Sequence, residues 1–379
     1  MKNSKILVLS WHPEESKVIN AGGFRRAYEI VKRIPDEVSV VCLDSAPSYF
    51  EGLDKKNIVI DTYSIPVFIR FITKLNFILG KILEKIYVAI LLFLKIIFYY
   101  RNYIIYVPYS ELNQLSLPAV LSKFFTQQRV VLANLNVNHF FPETILSPVI
   151  HKMSSLNITI SKDLQKDLLK NGITTSHINQ VGIDIDYVKA VSDQEKKYDG
   201  IFIGRHTIEK GILDVLEICN ILNIRKDFIL VTVGNIQENK KQEIENKIIE
   251  LKLEGKVLLK GTVSEQKKYE LIKQSRICLF TSHQEGWGIV PQEAIICNVP
   301  VVAYDLSVYQ ENIAGCKAVS LVPEGNQIQF AQEVTRVIGL PDQEKIDLLK
   351  QSNEFVKQFS WDNIAKNEYK LIIGEVNAN

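Results

Sequence analysis

Two carboxylates and two cations carry the chemistry legible in this chain. Glu285 and Glu293 stand eight residues apart in FTSHQEGWGIVPQEAIICNVPVVAYD, residues 280–305. Paired carboxylates can divide general acid and base work, or each can hold the hydroxyl groups of a ligand. Arg205 and Lys210 stand in FIGRHTIEKG, residues 202–211. A forked guanidinium and a compact ammonium beside Gly204 suit a diphosphate. Taken alone, the same pair would also suit a solvated loop.

The elements that must position these groups follow from local pattern. The 280–305 stretch reads as strand end, glycine loop, short helix, turn and buried strand. Gly286 and Gly288 permit backbone conformations that a Cβ forbids and let a ligand approach the main chain. Pro291 fits the first helical turn, Glu293 complements the helix dipole there, and Asn298 can close the helix in a left-handed cap. Both carboxylates then flank a loop at the carboxyl end of a strand, where open α/β sheets bind ligands. The cationic stretch lies between a strand ending at Gly204 and a helix running to about Asn223.

A length of 379 residues predicts two domains. A net charge of +2 gives no reason to expect nucleic acid as a partner. Cysteines 42, 219, 278, 297 and 316 show no paired spacing, as expected for buried, reduced thiols in a cytosolic protein. Residues 1–10 read as a first strand rather than a signal peptide. After it, Gly22-Gly23 opens a helix, a context that can present backbone N–H groups to a phosphate. Strands are expected near 38–43, 57–60, 103–107, 129–133, 156–160 and 178–181, with Ser161 capping a helix that Asn171-Gly172 ends. The polar run 192–197 reads as a linker, and a second alternating βα series follows it to a helical tail after Phe359-Ser360-Trp361.

Residues 67–100, VFIRFITKLNFILGKILEKIYVAILLFLKIIFYY, are apolar apart from Arg70, Lys74, Lys81, Glu84, Lys85 and Lys95. At helical spacing these six form one stripe, which Gly80 would weaken if it split the segment into two helices. Charges interrupt the segment too often for a membrane span. An apolar body with cations suits the surface of an anionic bilayer; packing on a sheet or on a partner is the other reading.

Several pieces together resemble the retaining glycosyltransferases of family GT4. They are Gly22-Gly23 with Arg26, ITISKDLQKDLLKNGI, VGIDIDYV, FIGRHTIEKGILDVLEI, LVTVGN, VLLKGTVSEQKKYELIKQSRICLFTS, EGWGIVPQEAIICNVPVVAYD and FSW. They cover the chain well from about residue 155 onward and only loosely before it. The resemblance implies an α/β chain of GT-B type: two facing Rossmann-like domains, 1–190 and 191–359, with a helix over 360–379 returning to the first. It implies a nucleotide-diphosphate sugar as donor, with no cofactor and no metal. Arg205 and Lys210 would bind the diphosphate, with Gly204 beside them. Glu293 would take the ribose hydroxyls and Glu285 the sugar. Backbone amides around Gly286, Gly288, Ile289 and Val290 would meet sugar or phosphate oxygens, and Gly22 and Gly23 would close over the phosphates. The family's active-site histidine has no clean match in LANLNVNHFF; His139 is the candidate, with Asn134 and Asn136 as alternatives. Trp287 replaces a common Phe, and His283 is expected to be a loop-surface residue. The acceptor would be a glycan or glycolipid at the cytoplasmic face of a membrane, reached through residues 67–100. A nucleotide-sugar epimerase, a phosphorylase or a non-catalytic sugar-nucleotide-binding subunit would use many of the same residues.

Overall fold

The computed structural model describes residues 4–10, 22–43, 53, 57–110, 112–136, 143–224 and 227–375. The chain divides into two compact units, Met1–Val181 with Trp361–Asn379, and Gly182–Ser360. Division falls at 181/182 rather than at 190/191, because the helix Ile185–Ala190 packs on the helix Val290–Ile296 of the second unit.

The first unit is built on seven parallel strands: β1 Lys5–Leu9, β2 Glu37–Leu43, β3 Ile58–Tyr63, β4 Ile104–Val107, β5 Val130–Asn134, β6 Leu156–Thr159 and β7 His177–Ile178. Their order is β3-β2-β1-β4-β5-β6-β7. The central strands are buried on both faces, which is why KILVL and VVLAN read as continuous apolar runs. The second unit holds six: β8 Tyr198–Ile203, β9 Leu230–Val233, β10 Val257–Leu259, β11 Ser275–Phe280, β12 Val301–Tyr304 and β13 Val319–Val322, ordered β10-β9-β8-β11-β12-β13. Each is a doubly wound, Rossmann-like sheet in which the chain works outward on one side and then returns to the other.

The helix Trp361–Ile373 belongs to the first unit, where it packs on the helix Gly22–Val31. A buried ion pair fixes it. Arg26, 1% exposed, donates from Nη1 to Glu368 Oε1 at 3.1 Å and from Nη2 to Oε2 at 2.7 Å; Glu368 is fully buried. Tyr106 Oη adds a third donor to Glu368 at 2.7 Å, and Asn179 a fourth. Two further guanidinium hydrogens go to Asn179 O and Gln180 O.

The helices Asn113–Thr126 and Glu143–Met153 have no counterpart in the sequence reading. Each carries a proline inside, Pro118 and Pro148, a residue that ordinarily argues against a helix interior. The apolar segment forms two helices, Val67–Leu75 and Phe77–Tyr99, and the break is at Asn76, whose side chain accepts from Leu79 N. Gly80 is not the break. It lies inside the second helix, where a Cβ would come 2.3 Å from Thr73 Cα, so its missing side chain lets the two helices touch.

That geometry also dissolves the single cationic stripe. Gly80, Glu84, Val88, Leu92 and Ile96 form the buried row of the second helix. Lys95 is drawn onto Asp61 at 2.7 Å, and Tyr100 binds the same carboxylate. The outward row is Ile78, Ile82, Ile86, Ile90, Leu94 and Phe98, all exposed and all aliphatic or aromatic. Arg70, Lys74, Lys81 and Lys85 are exposed around it. Among the described residues, no helix is long and apolar enough to cross a membrane.

Candidate active site

In the second unit, β8 pairs directly with β11, the point where the strand order reverses. Loops leaving the carboxyl ends of two such strands diverge to opposite faces and leave a crevice between them. The loop after β8 carries Gly204 to Gly211, and the loop after β11 carries Thr281 to Ile289. Sequence places these loops about seventy residues apart; the sheet makes them neighbours.

Gly211 is the contact between them. Its φ is +72°, and a Cβ there would lie 1.9 Å from Thr281 O, so only glycine fits. Thr281 Oγ1 donates to Gly211 O at 2.8 Å, and His283 N donates to Glu209 O at 2.9 Å. Gly234, the glycine of LVTVGN, does the same at the next strand. Its absent Cβ would fall 1.8 Å from Gly204 O, whereas a Cβ on Gly204 itself would meet only ordinary contacts.

The charged groups meet on this frame. Lys210 Nζ lies 2.7 Å from Glu285 Oε1 and donates to Gln284 O at 3.2 Å. Ser282 Oγ also donates to Glu285 Oε1, at 2.8 Å. Arg205 is exposed beside them, and its guanidinium makes no hydrogen bond or ion pair among the described residues. His206, next to it, is buried against Thr232 Oγ1 at 2.8 Å, and burial pushes its imidazole down to about 4. It is a neutral strut under the cationic loop. A cavity of about 380 Å³ opens between residues 205–213 and the helix Glu238–Glu250, but neither Lys210 nor Glu285 lines it.

Glu293 stands apart from Glu285. It lies in the helix Val290–Ile296, 4% exposed, with Pro291 in the first turn and Asn298 closing the end at φ +58°. Lys268 Nζ at 2.6 Å and Tyr269 Oη at 2.9 Å both contact its Oε1. The two carboxylates thus have separate cationic partners, Lys210 and Lys268, and share no hydrogen bond. Two carboxylates that split one proton need to face each other, so this is not an acid–base dyad. Lys268 and Tyr269 lie in the stretch VLLKGTVSEQKKYELIKQSRICLFTS, but the sequence assigned them no role at the site.

Of Gly286 and Gly288 in the loop after β11, Gly288 adopts a left-handed conformation, at φ +77°. Its missing Cβ admits the ring of Tyr309, which would otherwise be 2.9 Å away. The Tyr309 phenol is raised well above its usual range by burial first and the charge of Glu285 second, which places it close to that carboxylate. Gly286 does not need glycine's conformational freedom. Ile289 precedes the helix and, with Val290, is half-buried. Trp287 is a packing residue, edge-on to Phe359 at 5.6 Å, with its carbonyl bound by Asn312.

In the first unit, Gly22 and Gly23 begin the helix Gly22–Val31. His139 lies outside the described residues. Asn134 is a structural residue: it is buried, accepts from Ser110 Oγ at 2.9 Å and donates to Ile158 O at 3.1 Å. Asn136 is exposed. Among the described residues, no group of three or more His, Cys, Asp or Glu is placed to hold a metal ion.

Residues 185–354 match the family model described as Glycosyl transferases group 1. This part of the chain, less than half of its length, is what resembles a group 1 glycosyltransferase. That match includes Arg205, Lys210, Glu285 and Glu293. Over 251 residues the chain is 24% identical to an uncharacterized glycosyltransferase of Methanocaldococcus jannaschii, covering 66% of each. It is 20% identical over 215 residues to the GDP-mannose:cellobiosyl-diphosphopolyprenol alpha-mannosyltransferase of Xanthomonas campestris, covering 55% of this chain and 56% of that one. The aligned stretches thus span 66% or less of these relatives' lengths. The fold also resembles that of Anabaena HepE in complex with UDP, at a TM-score of 0.75 and 17% identity, covering 98% of this chain and all of that one. The fold is therefore that of the GT-B architecture, two Rossmann-like units.

Proposed function

We propose that this chain is a retaining glycosyltransferase. It would move a hexose-type sugar from a nucleoside-diphosphate donor to a lipid-linked glycan or polysaccharide intermediate at an anionic membrane surface. One observation carries the donor half of this reading: Lys210 and Glu285 pair where β8 and β11 part, inside the matched family domain, with Arg205 exposed on the same loop as Lys210. The bond between the anomeric carbon and the diphosphate breaks toward the phosphate oxygen. The charge that develops there is offset by Arg205 and Lys210, held in place before the reaction. Glu285 holds the sugar and Glu293 the ribose. An acceptor hydroxyl then bonds to the anomeric carbon on the face the diphosphate left, and gives up its proton to the departing phosphate oxygen. The bound UDP of HepE and the GDP-mannose of the Xanthomonas enzyme support a nucleotide donor.

The acceptor half rests on the exposed apolar row of the helix Phe77–Tyr99 with cations at its margins, a surface that suits the interface of an anionic bilayer. The diphosphopolyprenol-linked acceptor named for the Xanthomonas enzyme points the same way.

The test is thermal stabilisation by UDP, GDP and ADP. A nucleotide that binds only the folded state raises stability in proportion to the logarithm of its concentration over Kd. Arg205→Ala and Lys210→Ala should each abolish the shift. A shift that survives in both variants refutes the diphosphate assignment.

A further inference from the structure

One group beside the site is used by nothing above. His283 follows Ser282 in the loop that carries Glu285, and each of its ring nitrogens faces a carboxylate. Nδ1 lies 2.7 Å from Glu324 Oε1, in the turn after β13. Nε2 lies 3.1 Å from Asp214 Oδ2, in the helix Ile212–Asn223 that follows the cationic loop. Tyr304, at the end of β12, donates to the same Asp214 oxygen at 2.7 Å and packs against the imidazole at 5.4 Å. The backbone N–H of His283 binds Glu209 O, next to Lys210. The loop bearing Glu285 is therefore tied at one residue to three other elements.

The chemistry of that tie sets a condition on the proton. A neutral imidazole has one N–H and one lone pair. Between two carboxylates it can donate to one and must turn its lone pair on the other. Only the imidazolium matches both, and then each contact is charge-assisted. Of the other charges near the loop, Lys210 pairs with Glu285, and Glu209, whose carbonyl the loop binds, interacts with Arg205 and Lys210.

We propose that His283 is a positioning residue of the donor site: as imidazolium it clamps the Glu285 loop to the helix Ile212–Asn223 and the turn after β13, and so makes nucleotide affinity depend on pH. The proposal rests on the donor-site reading above. Deprotonation removes one of the two side-chain ties, because the neutral ring can donate to only one carboxylate, and the spacing of Lys210 and Glu285 loosens. Histidine is the side chain suited to such a change between about pH 5 and pH 8.

The experiment is calorimetric titration of the full chain with UDP and with GDP, from about pH 5.5 to about pH 8.5. The variants are His283→Asn, Asp214→Asn with Glu324→Gln, and Arg205→Ala. Ionisation of the nucleotide's own phosphate affects every protein alike, so the ratio of variant to wild-type Kd is read at each pH. For His283→Asn the expected ratio is about tenfold at the acid end, the effect of ~1.4 kcal/mol, falling to about one at the alkaline end. With both carboxylates replaced by amides, a neutral histidine can donate to one and accept from the other. That variant should keep its affinity at the alkaline end, better than wild type, and it serves also if His283→Asn does not fold. A ratio that stays constant with pH overturns the clamp while leaving the donor site standing. Binding that is indifferent to Arg205→Ala refutes the donor site whatever the histidine does. No binding of either nucleotide to wild-type protein removes both.

Discussion

Replacing Arg26 by Leu should cost the first unit about 3–5 kcal/mol, the range for removing one partner of a buried ion pair. The structure sets that size. Glu368 is fully buried, and its carboxylate would keep Tyr106 and Asn179 as donors but lose the cation that pairs with it, the only one among the described residues. Glu368→Leu should cost a similar amount, because it strands a guanidinium that is 1% exposed. The double variant is the informative one. With both charges gone, what remains is the unmet hydrogen bonding of Tyr106 and Asn179, roughly 1–3 kcal/mol for a buried polar group left without a partner. The two single losses should therefore exceed the double loss by several kcal/mol, far from additivity. Urea unfolding gives the three values. Hydrogen exchange across Trp361–Ile373 locates the loss, since this helix should lose protection first. Single variants within about 1 kcal/mol of wild type, adding to give the double, would refute a buried charged pair as the anchor of the returning helix.

Two further outcomes follow from the same structure. His206 is protonated near 6.5 in an unfolded chain but only near 4 in the folded one. The unfolded state thus binds the extra proton between those values, and stability should rise with pH across that window by about 3 kcal/mol. His206→Gln should flatten this limb in pH-dependent urea melts, and an unchanged limb would assign it elsewhere. Ile86→Asp with Ile90→Asp places charge in the outward apolar row, and each lost side chain gives up about 1.5–3 kcal/mol of burial if that row enters a bilayer. Sedimentation with anionic vesicles should drop by more than tenfold. Release of the wild type by salt alone would instead assign the binding to the cations.

Much of the fold was legible because its signals are local. Ser161 caps its helix through Leu164 N, and Asn298 takes the left-handed cap expected of it. The buried parallel strands stand out as short apolar runs. The two proline-bearing helices were not legible, because neither Pro118 nor Pro148 announces that its helix tolerates it. The cationic stripe failed for a related reason: periodicity treats 67–100 as one rod, whereas Asn76 ends one helix and starts another. Arg205, Lys210, Glu285 and Glu293 could be named from motif. The roles of Lys268, Tyr309 and Gly234 could not, since each matters only through a neighbour distant in sequence.

The sequence by itself determined the kinds of element, their punctuation and the four charged groups, all of which depend on residues within a turn or two of one another. Only the tertiary structure decided what those groups do to each other. Strand order put the loop after β8 against the loop after β11, and the glycine at 211 let their backbones touch. It also gave Glu285 to Lys210 and Glu293 to Lys268, turning two nearby carboxylates into separate ones. Arg26 found Glu368 across 342 residues of chain. The physical reason is that Coulomb and packing energies depend on distance in space, and in a parallel sheet that distance is set by crossovers that no local pattern encodes.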